Sequence, residues 1–394
     1  MSQGKDFDIA VYGASGFTGR LVAEYLAQRY GRGSGVRWAM AGRSTERLAA
    51  VRDEIGAPRD VPLIAADAND PASLERMVRA TKVVLTTVGP YQLYGNELVA
   101  ACAKAGTDYV DLCGEPAWMR KMIDAHDAEA KASGARIVFS CGFDSIPFDL
   151  GVLMLQDLAR KRTGKPAARV RGRVRKMKGT FSGGTAASMK ATMEAAMKDP
   201  GVIALLRDPF SLAPGFSGAA QPSGMKPEYD AAIGSWVAPF VMAPINTRNV
   251  HRSNFLLGHP YGADFVYDEM LVTGPGEKGE AAANAIAKDR SMASGDGPKP
   301  GEGPSKEERE AGHYDILFVG DLAGGGQIRT CVTGDRDPGY GSTSKMISEA
   351  ALCLLNEAKG AKPGVTTPAA ALGLPLIGRL TAHAGMTFTE EPPQ

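Results

Sequence analysis

Three glycines, separated by two residues each, follow a short apolar run near the start of the sequence: Gly13, Gly16 and Gly19. The pattern predicts a strand, a tight turn and the start of a helix that packs closely on the strand. The free N–H groups and the dipole of such a helix start attract a pyrophosphate. We therefore predict a dinucleotide site, and the alternative is a tight turn without a ligand. The residues assigned to this site are Gly13, Ala14, Ser15, Gly16, Phe17, Thr18 and Gly19.

The next predicted strand ends at the place where the adenosine ribose of a dinucleotide would lie. A carboxylate there would accept a hydrogen bond from the 2′-hydroxyl of NAD, but the sequence has Arg43 followed by Ser44. Because a guanidinium suits a 2′-phosphate by charge and shape, we expect NADP, with Ser44 as a helper. The alternative is that Arg43 only faces solvent. Asp67, at the end of the third predicted strand, would accept from the adenine amino group or only cap a turn.

Further polar residues follow the later strands, at the edge where the reaction would occur. The loop Thr87, Val88, Gly89 and Pro90 is expected to line the nicotinamide ribose, together with Cys141. Each of four residues could donate a proton or bind a substrate, or equally cap a helix: Asp111, Glu115, Asp144 and Ser145. Tyr91 and Tyr94 could contact a substrate or be half-buried aromatics beside a loop. The predicted catalytic residues are Tyr91 and Ser145 as hydrogen-bond donors and Asp144 as the residue that orients them.

Alternating apolar strands and helices predict a parallel sheet covered on both faces. After Ala168 the pattern changes to half-exposed strands and a hairpin, which predicts a second, antiparallel sheet. The predicted fold class is therefore α/β, a Rossmann parallel sheet domain with an inserted α+β domain that contains the antiparallel sheet. We place the Rossmann domain at residues 1–147, the second domain, for substrate or dimerisation, at residues 148–337, and a helix and tail that return to the Rossmann domain at residues 338–394.

Three features of the second domain have alternative interpretations. The arginines that alternate along residues 169–176 would grip an acidic substrate or form a solvated sheet face. Methionines at helical spacing would pack in the core, form a dimer interface or contact an apolar ligand. The polar residues of Val241–Asn254 would face the cleft. They are Asn246, Arg248, His251 and Arg252, and the methionines are Met189, Met193 and Met197. Ser342 is expected to cap the following helix.

The composition argues against several classes of function. The net charge of +1 gives no basic bias toward nucleic acid. The five cysteines are scattered, without a C-x-x-C pair, so we expect reduced thiols in a cytoplasmic protein and no zinc framework. No run approaches the ~18 apolar residues of a membrane span, and His251 has no second histidine at ligand spacing, so neither an integral membrane segment nor a metal is expected.

Together these residues resemble the saccharopine dehydrogenase-like oxidoreductases, in the branch of the trans-acting enoyl reductases. The resemblance implies an NADP-binding Rossmann domain and a second domain like that of saccharopine reductase. In the mycobacterial branch it implies reduction of an enoyl double bond on an acyl chain bound to a polyketide synthase, for lipid biosynthesis. The stretches that carry the resemblance are residues 12–19, 41–44, 86–91, 101–109, 141–147 and 299–304.

The sequence thus predicts an NADPH-dependent reductase of an enoyl substrate, either a small molecule or an acyl thioester that is free or carried by a synthase. A homodimer is one expected assembly. The alternatives are a cofactor sensor without turnover, a scaffold protein and a reductase of C=N bonds.

Overall fold

The computed structural model describes residues 4–180, 183–289 and 302–392, except for the side chains of residues 183–186 and 189. The strands form two seven-stranded sheets, and helices pack on both. This confirms the predicted α/β class with a parallel first sheet. Part of the stretch 299–304, namely Lys299 to Gly301, lies outside the described residues, and so does the side chain of Met189.

The first sheet is parallel at every pairing, with the order β13-β6-β5-β4-β1-β2-β3. The first strand of the chain pairs on both sides, so that its residue Val11 lies between Met40 and Leu85. The strands are β1 (Phe7–Tyr12), β2 (Trp38–Gly42), β3 (Leu63–Ala65), β4 (Thr81–Thr86), β5 (Asp108–Val110), β6 (Arg136–Val138) and β13 (Gly364–Thr366). Strand β13 follows six of the seven strands of the second sheet in the chain, so these six are inserted into the first sheet's part of the chain, whereas the seventh comes after β13.

Local signals in the sequence fix the helices between these strands. Asp70 accepts from the N–H groups of Ala72 and Ser73 and so begins α3, with proline at the first helical position. Gly106 adopts a left-handed conformation, with a φ of 63°, and ends α5. The helices are α1 (Phe17–Arg29), α2 (Thr45–Glu54), α3 (Pro71–Ala80), α4 (Tyr91–Tyr94), α5 (Asn96–Ala105), α6 (Pro116–Ser133) and α7 (Ile146–Thr163).

The second sheet has the order β14-β12-β11-β7-β10-β9-β8. Its pairs are antiparallel except for β7 and β10, which are parallel, so the predicted antiparallel sheet is in fact mixed. A parallel pair needs a long crossover connection, and residues 179–265 supply it. The strands are β7 (Arg169–Lys178), β8 (Glu228–Asp230), β9 (Ser235–Pro239), β10 (Val266–Gly274), β11 (His313–Asp321), β12 (Gln327–Gly334) and β14 (Met386–Glu391).

The remaining helices pack around this sheet and join the two halves. They are α8 (Gly183–Lys198), α9 (Pro200–Arg207), α10 (Ala243–Leu256), α11 (Gly276–Lys288), α12 (Lys306–Glu310), α13 (Thr343–Asn356), α14 (Pro368–Ala371) and α15 (Gly373–His383). Helix α13 packs against α1 and β4, while α7 packs against β11 and β12. One hydrophobic cluster therefore runs from Val11 in the first sheet to Phe318 in the second. Strand β14 pairs with β12, so the tail, which we expected to return to the Rossmann domain as a whole, also extends the second sheet.

The predicted row of arginines on β7 is only partly solvated and is not free for an acidic substrate. Each guanidinium has a carboxylate partner from a strand or segment distant in sequence, and Arg173 is almost fully buried. The pairs are Arg169 with Asp268, Arg171 with Asp321, Arg173 with Asp230 and Asp268, and Arg175 with Asp315 and Glu391. The row therefore holds strands together.

Two other local expectations differ from the structure. Ser342 does not cap α13, because its hydroxyl forms a hydrogen bond of 2.9 Å with that of Tyr314. Asp337 instead accepts from the N–H groups of Tyr340 and Gly341 in a π-helical turn before α13. Met193 on α8 is 48% exposed, so it lies outside the core. Within the described ranges, no helix is long and apolar enough to cross a membrane.

Candidate active site

The turn between β1 and α1 has a geometry that only glycine permits at two positions. Gly13 has a φ of +89°, and a Cβ atom there would lie 2.7 Å from Cγ2 of Val88. A Cβ atom on Gly19 would lie 2.0 Å from the carbonyl oxygen of Gly13. Gly16 is exposed, and a Cβ atom there would meet only that same oxygen, at 3.3 Å. The turn is therefore tightly packed against the protein at Gly13 and Gly19 and accessible to a ligand at Gly16.

The start of α1 is free to bind an anion. Its N-cap residue is Gly16, no side chain caps the helix, and its first turn has no acidic residue. Ser15 is exposed beside it. Uncapped N–H groups at the positive end of a helix dipole suit a pyrophosphate, so the residues present fit a dinucleotide.

At the end of β2, Arg43 is exposed and has no hydrogen bond or ion pair within the described part of the chain. Ser44 caps α2, since its Oγ accepts from the N–H of Arg47 at 3.2 Å. Asp67 accepts from the N–H of Asn69 at 2.9 Å, so it caps a turn, which is the second of its two predicted roles.

The loop after β4 touches the glycine turn but holds Tyr91 inside the fold. The N–H of Thr87 donates to the carbonyl oxygen of Tyr12 at 3.0 Å. The Tyr91 hydroxyl accepts from the N–H of Leu112 at 3.0 Å and donates to the carbonyl of Thr86 at 3.4 Å. With 5% of its surface exposed, Tyr91 is not free to donate to a substrate, which corrects its predicted catalytic role.

Two buried acids, which the sequence left open as caps or proton donors, support the loops at this edge. Glu115 accepts from the N–H groups of Tyr91 and Gln92, both at 2.9 Å. Asp111 accepts from the N–H groups of Cys113 and Ser140, and burial raises its pKa to about 7. Both carboxyls therefore stabilise these loops through hydrogen bonds to backbone N–H groups. The Cys141 thiol is likewise buried in the core, so its side chain is not available to a cofactor.

Asp144 is the acid at this edge that is neither fully buried nor tied to the described part of the fold by a hydrogen bond. The residue is partly exposed, and its carboxyl lies close to Gly114 and accepts no hydrogen bond within the described residues. Burial of the surrounding loop raises its pKa to about 7. The neighbouring Ser145 is buried, and its Oγ accepts from the side-chain amide of Asn249 on α10 at 2.8 Å. The second domain thus directly contacts the loop that follows β6.

A polar cluster on the second domain continues this contact. Glu269 on β10 accepts from the Asn246 amide and the Tyr267 hydroxyl, both at 2.9 Å. Burial raises the pKa of Glu269 well above its ordinary value. The amide oxygens of Asn246 and Asn249 are buried without a partner. Sequence reasoning missed Asn249, Tyr267 and Glu269, although an acid within the apolar strand β10 was a usable signal.

Of the predicted polar residues on α10, only Asn246 joins this cluster. Arg248 donates to the carbonyl of Leu206, and Arg252 to those of Leu212 and Val365, so both brace the fold. His251 is buried among aromatic rings, and burial lowers its pKa to about 3. Among the described residues, no cluster of side chains has the composition of a metal site.

Comparison with known proteins gives matches along the chain. Residues 9–138 match the family model described as the saccharopine dehydrogenase NADP binding domain. A Mycobacterium tuberculosis relative, whose own name assigns it provisionally to the trans-acting enoyl reductases, is 42% identical and aligns over 98% of this chain and 97% of its own. A trans-acting enoyl reductase of Mycobacterium ulcerans is 40% identical over 95% of this chain and 96% of its own.

A solved structure shares the fold. It is the apo form of a saccharopine dehydrogenase (L-Glu forming) from Saccharomyces cerevisiae, with a TM-score of 0.57 at 11% identity. The alignment covers 98% of this chain and 99% of that one. At this identity the likeness shows the fold alone.

Proposed function

The chain belongs to the family of the trans-acting enoyl reductases, with an NADP-binding domain of the saccharopine dehydrogenase type, and we propose that it reduces the C=C bond of an enoyl thioester with Asp144 as the proton donor. It is an NADP-dependent oxidoreductase. When bound, NADPH supplies a hydride. We assign the pyrophosphate to the turn Gly13–Gly19, the 2′-phosphate to Arg43, and the nicotinamide ribose to Thr87–Pro90.

The observation that supports Asp144 is a partly exposed residue whose carboxyl has a pKa raised to about 7. Reduction of an enoyl thioester adds a hydride to the β-carbon and a proton to the α-carbon, so the protein has to supply an acid. Asp144 has a pKa of about 7 and no hydrogen bond that ties it to the described part of the fold. Asp111 and Glu115 lie at the same edge, but backbone N–H groups occupy them.

Ser145, expected from the sequence to donate to the substrate, is fully buried, so like Tyr91 it is not free to contact the thioester. Because its oxygen accepts from Asn249 on α10, we infer that Ser145 holds the loop that carries Asp144 against the second domain. Asp144, expected from the sequence to orient other residues, becomes the acid itself.

The acyl chain has an apolar surface beside this edge. Leu93 and Tyr94 on α4 are 61% and 41% exposed, and Met193 and Met197 on α8 are 48% and 79% exposed. Helix α8 lies next to α4, since the side-chain amide of Gln92 on α4 donates to the Thr192 hydroxyl on α8 at 3.5 Å. The name of the relatives, trans-acting, supports a thioester carried by another protein. A homodimer through the same surface stays a prediction.

The test is NADPH oxidation with enoyl-coenzyme A thioesters by the purified chain and by Asp144→Asn. We expect kcat to fall about 10²-fold or more in the variant, with an unchanged Kd for NADPH. In the unmodified chain kcat should decline above pH 7, as Asp144 loses its proton. Asp157→Asn, which alters a surface ion pair with Lys161 on α7, is the matched control.

Two outcomes would contradict the proposal. An Asp144→Asn variant with normal kcat and an unchanged pH profile would show that another group donates the proton. Binding of NADPH without its oxidation by any enoyl thioester would favour the sensor, and oxidation with imines alone would favour a C=N reductase.

A further inference from the structure

Glu46 lies on α2, at the end of the cofactor site that receives the adenosine ribose. Its carboxylate accepts from the Ser44 hydroxyl at 2.8 Å and from the Thr45 hydroxyl at 3.5 Å. A bond from its own backbone N–H, followed by that from Ser44, lowers the pKa of Glu46. The Glu46 carboxylate therefore accepts hydrogen bonds from both hydroxyl donors at the start of α2.

These donors stand beside the glycine turn. Strand β2 pairs with β1, and a Cβ atom on Gly42 would lie 3.6 Å from the hydroxyl oxygen of Ser15. Arg43 follows directly, exposed and without an ion pair within the described ranges. At the rim that receives the adenosine ribose, Arg43 is thus a cation without an ion pair among the described residues, and Glu46 is an anion that is bound to the hydroxyl donors.

We propose that Glu46 is a selectivity residue for the cofactor, whose carboxylate takes the place of the 2′-phosphate on Ser44 and Thr45 and has to leave when NADP binds. This rests on the proposed NADP site. A 2′-phosphate carries negative charge and competes for the same donors, so Glu46 opposes it. The 2′-hydroxyl of NAD is neutral and can itself donate to a carboxylate, so Glu46 favours it. Arg43 and Glu46 therefore act in opposite directions, and the preference for NADP is weaker than Arg43 alone would give.

The test measures Kd for NADPH and for NADH by calorimetry, which needs no turnover. Glu46→Gln should bind NADPH about fivefold more tightly, a size expected for an exposed charge, with NADH unchanged or weaker. The gain should shrink at high salt. Arg43→Gln should weaken NADPH about tenfold and leave NADH unchanged. Glu277→Gln removes the same charge from the second position of α11, which packs on the second sheet, and should change neither Kd.

The results separate this proposal from its alternatives. A role of Glu46 in helix capping alone predicts a lower melting temperature with both Kd values unchanged, and that result would overturn the proposal. Equal shifts for NADPH and NADH would overturn it as well. If the unmodified chain binds NADPH but reduces no enoyl thioester, the proposed function fails while the Kd ratio still tests Glu46.

Discussion

Replacement of Gly19 by alanine tests the packing on which the cofactor site depends. The added Cβ atom would lie 2.0 Å from the carbonyl oxygen of Gly13 and 2.9 Å from the Cα of Ala14. Nonbonded heavy atoms pack at about 3.5 Å, so α1 and the turn would have to separate by roughly 1.5 Å. The obstacles are backbone atoms and cannot rotate away. We expect a loss of about 3 kcal/mol in the free energy of unfolding, together with loss of NADPH binding.

Two other glycines serve as controls in the same assays, urea unfolding and calorimetry with NADPH. Gly16→Ala meets only one oxygen, at 3.3 Å, so it should keep its stability and lose affinity, because its methyl group stands where the pyrophosphate is expected. Gly378→Ala on α15 meets nothing within 4 Å and should be neutral or stabilising by about 0.5–1 kcal/mol. If Gly19→Ala unfolded and bound NADPH like the unmodified chain, the argument from close packing would be refuted.

Two further predictions concern buried charge. Arg173→Met leaves Asp230 and Asp268 buried without their shared partner, so the free energy of unfolding should fall by about 3–5 kcal/mol. Arg171→Gln, at a more exposed pair, should lower it by less than about 1 kcal/mol. Equal losses for the two variants in urea unfolding would contradict the argument from burial. Burial raises the pKa of Asp149 to about 7, so the folded state keeps a proton that the unfolded state loses near pH 4. The free energy of unfolding should therefore decrease from pH 4 to pH 7, by at most about 1.4 kcal/mol per pH unit for this group, and less steeply in Asp149→Asn. Identical slopes for the two proteins in pH-dependent unfolding would show that Asp149 is not the source of this pH dependence.

The parts of the fold that the sequence predicted well are those with local causes. The bounds of α3 and α5 have such causes, because Asp70 with Pro71 and Gly106 act on their immediate neighbours. The glycine turn belongs to the same class, since one conformation of Gly13 and one close contact of Gly19 define it.

The failures involve partners that are distant in sequence. The arginines of β7 looked like a solvated face because their carboxylates lie on other strands and segments. Tyr91 looked like a substrate donor because its partner is a backbone N–H at Leu112. Glu269 was missed since only the fold brings α10 and Asn246 to it. A single sequence contains the residue types at such a site, but not the pairing that decides whether a polar group is free.

The route of the chain through the two sheets has a consequence for biosynthesis. Helix α13 covers β4, and β13 completes the edge beyond β6, yet most of the inserted sheet is translated before either of them. The nucleotide-binding half therefore emerges first from the ribosome but finishes folding late. Until Thr343–Asn356 arrives, the part of the sheet at β4 and β5 that this helix covers stays exposed, and a truncated product that stops earlier would present that apolar surface to chaperones or to other nascent copies.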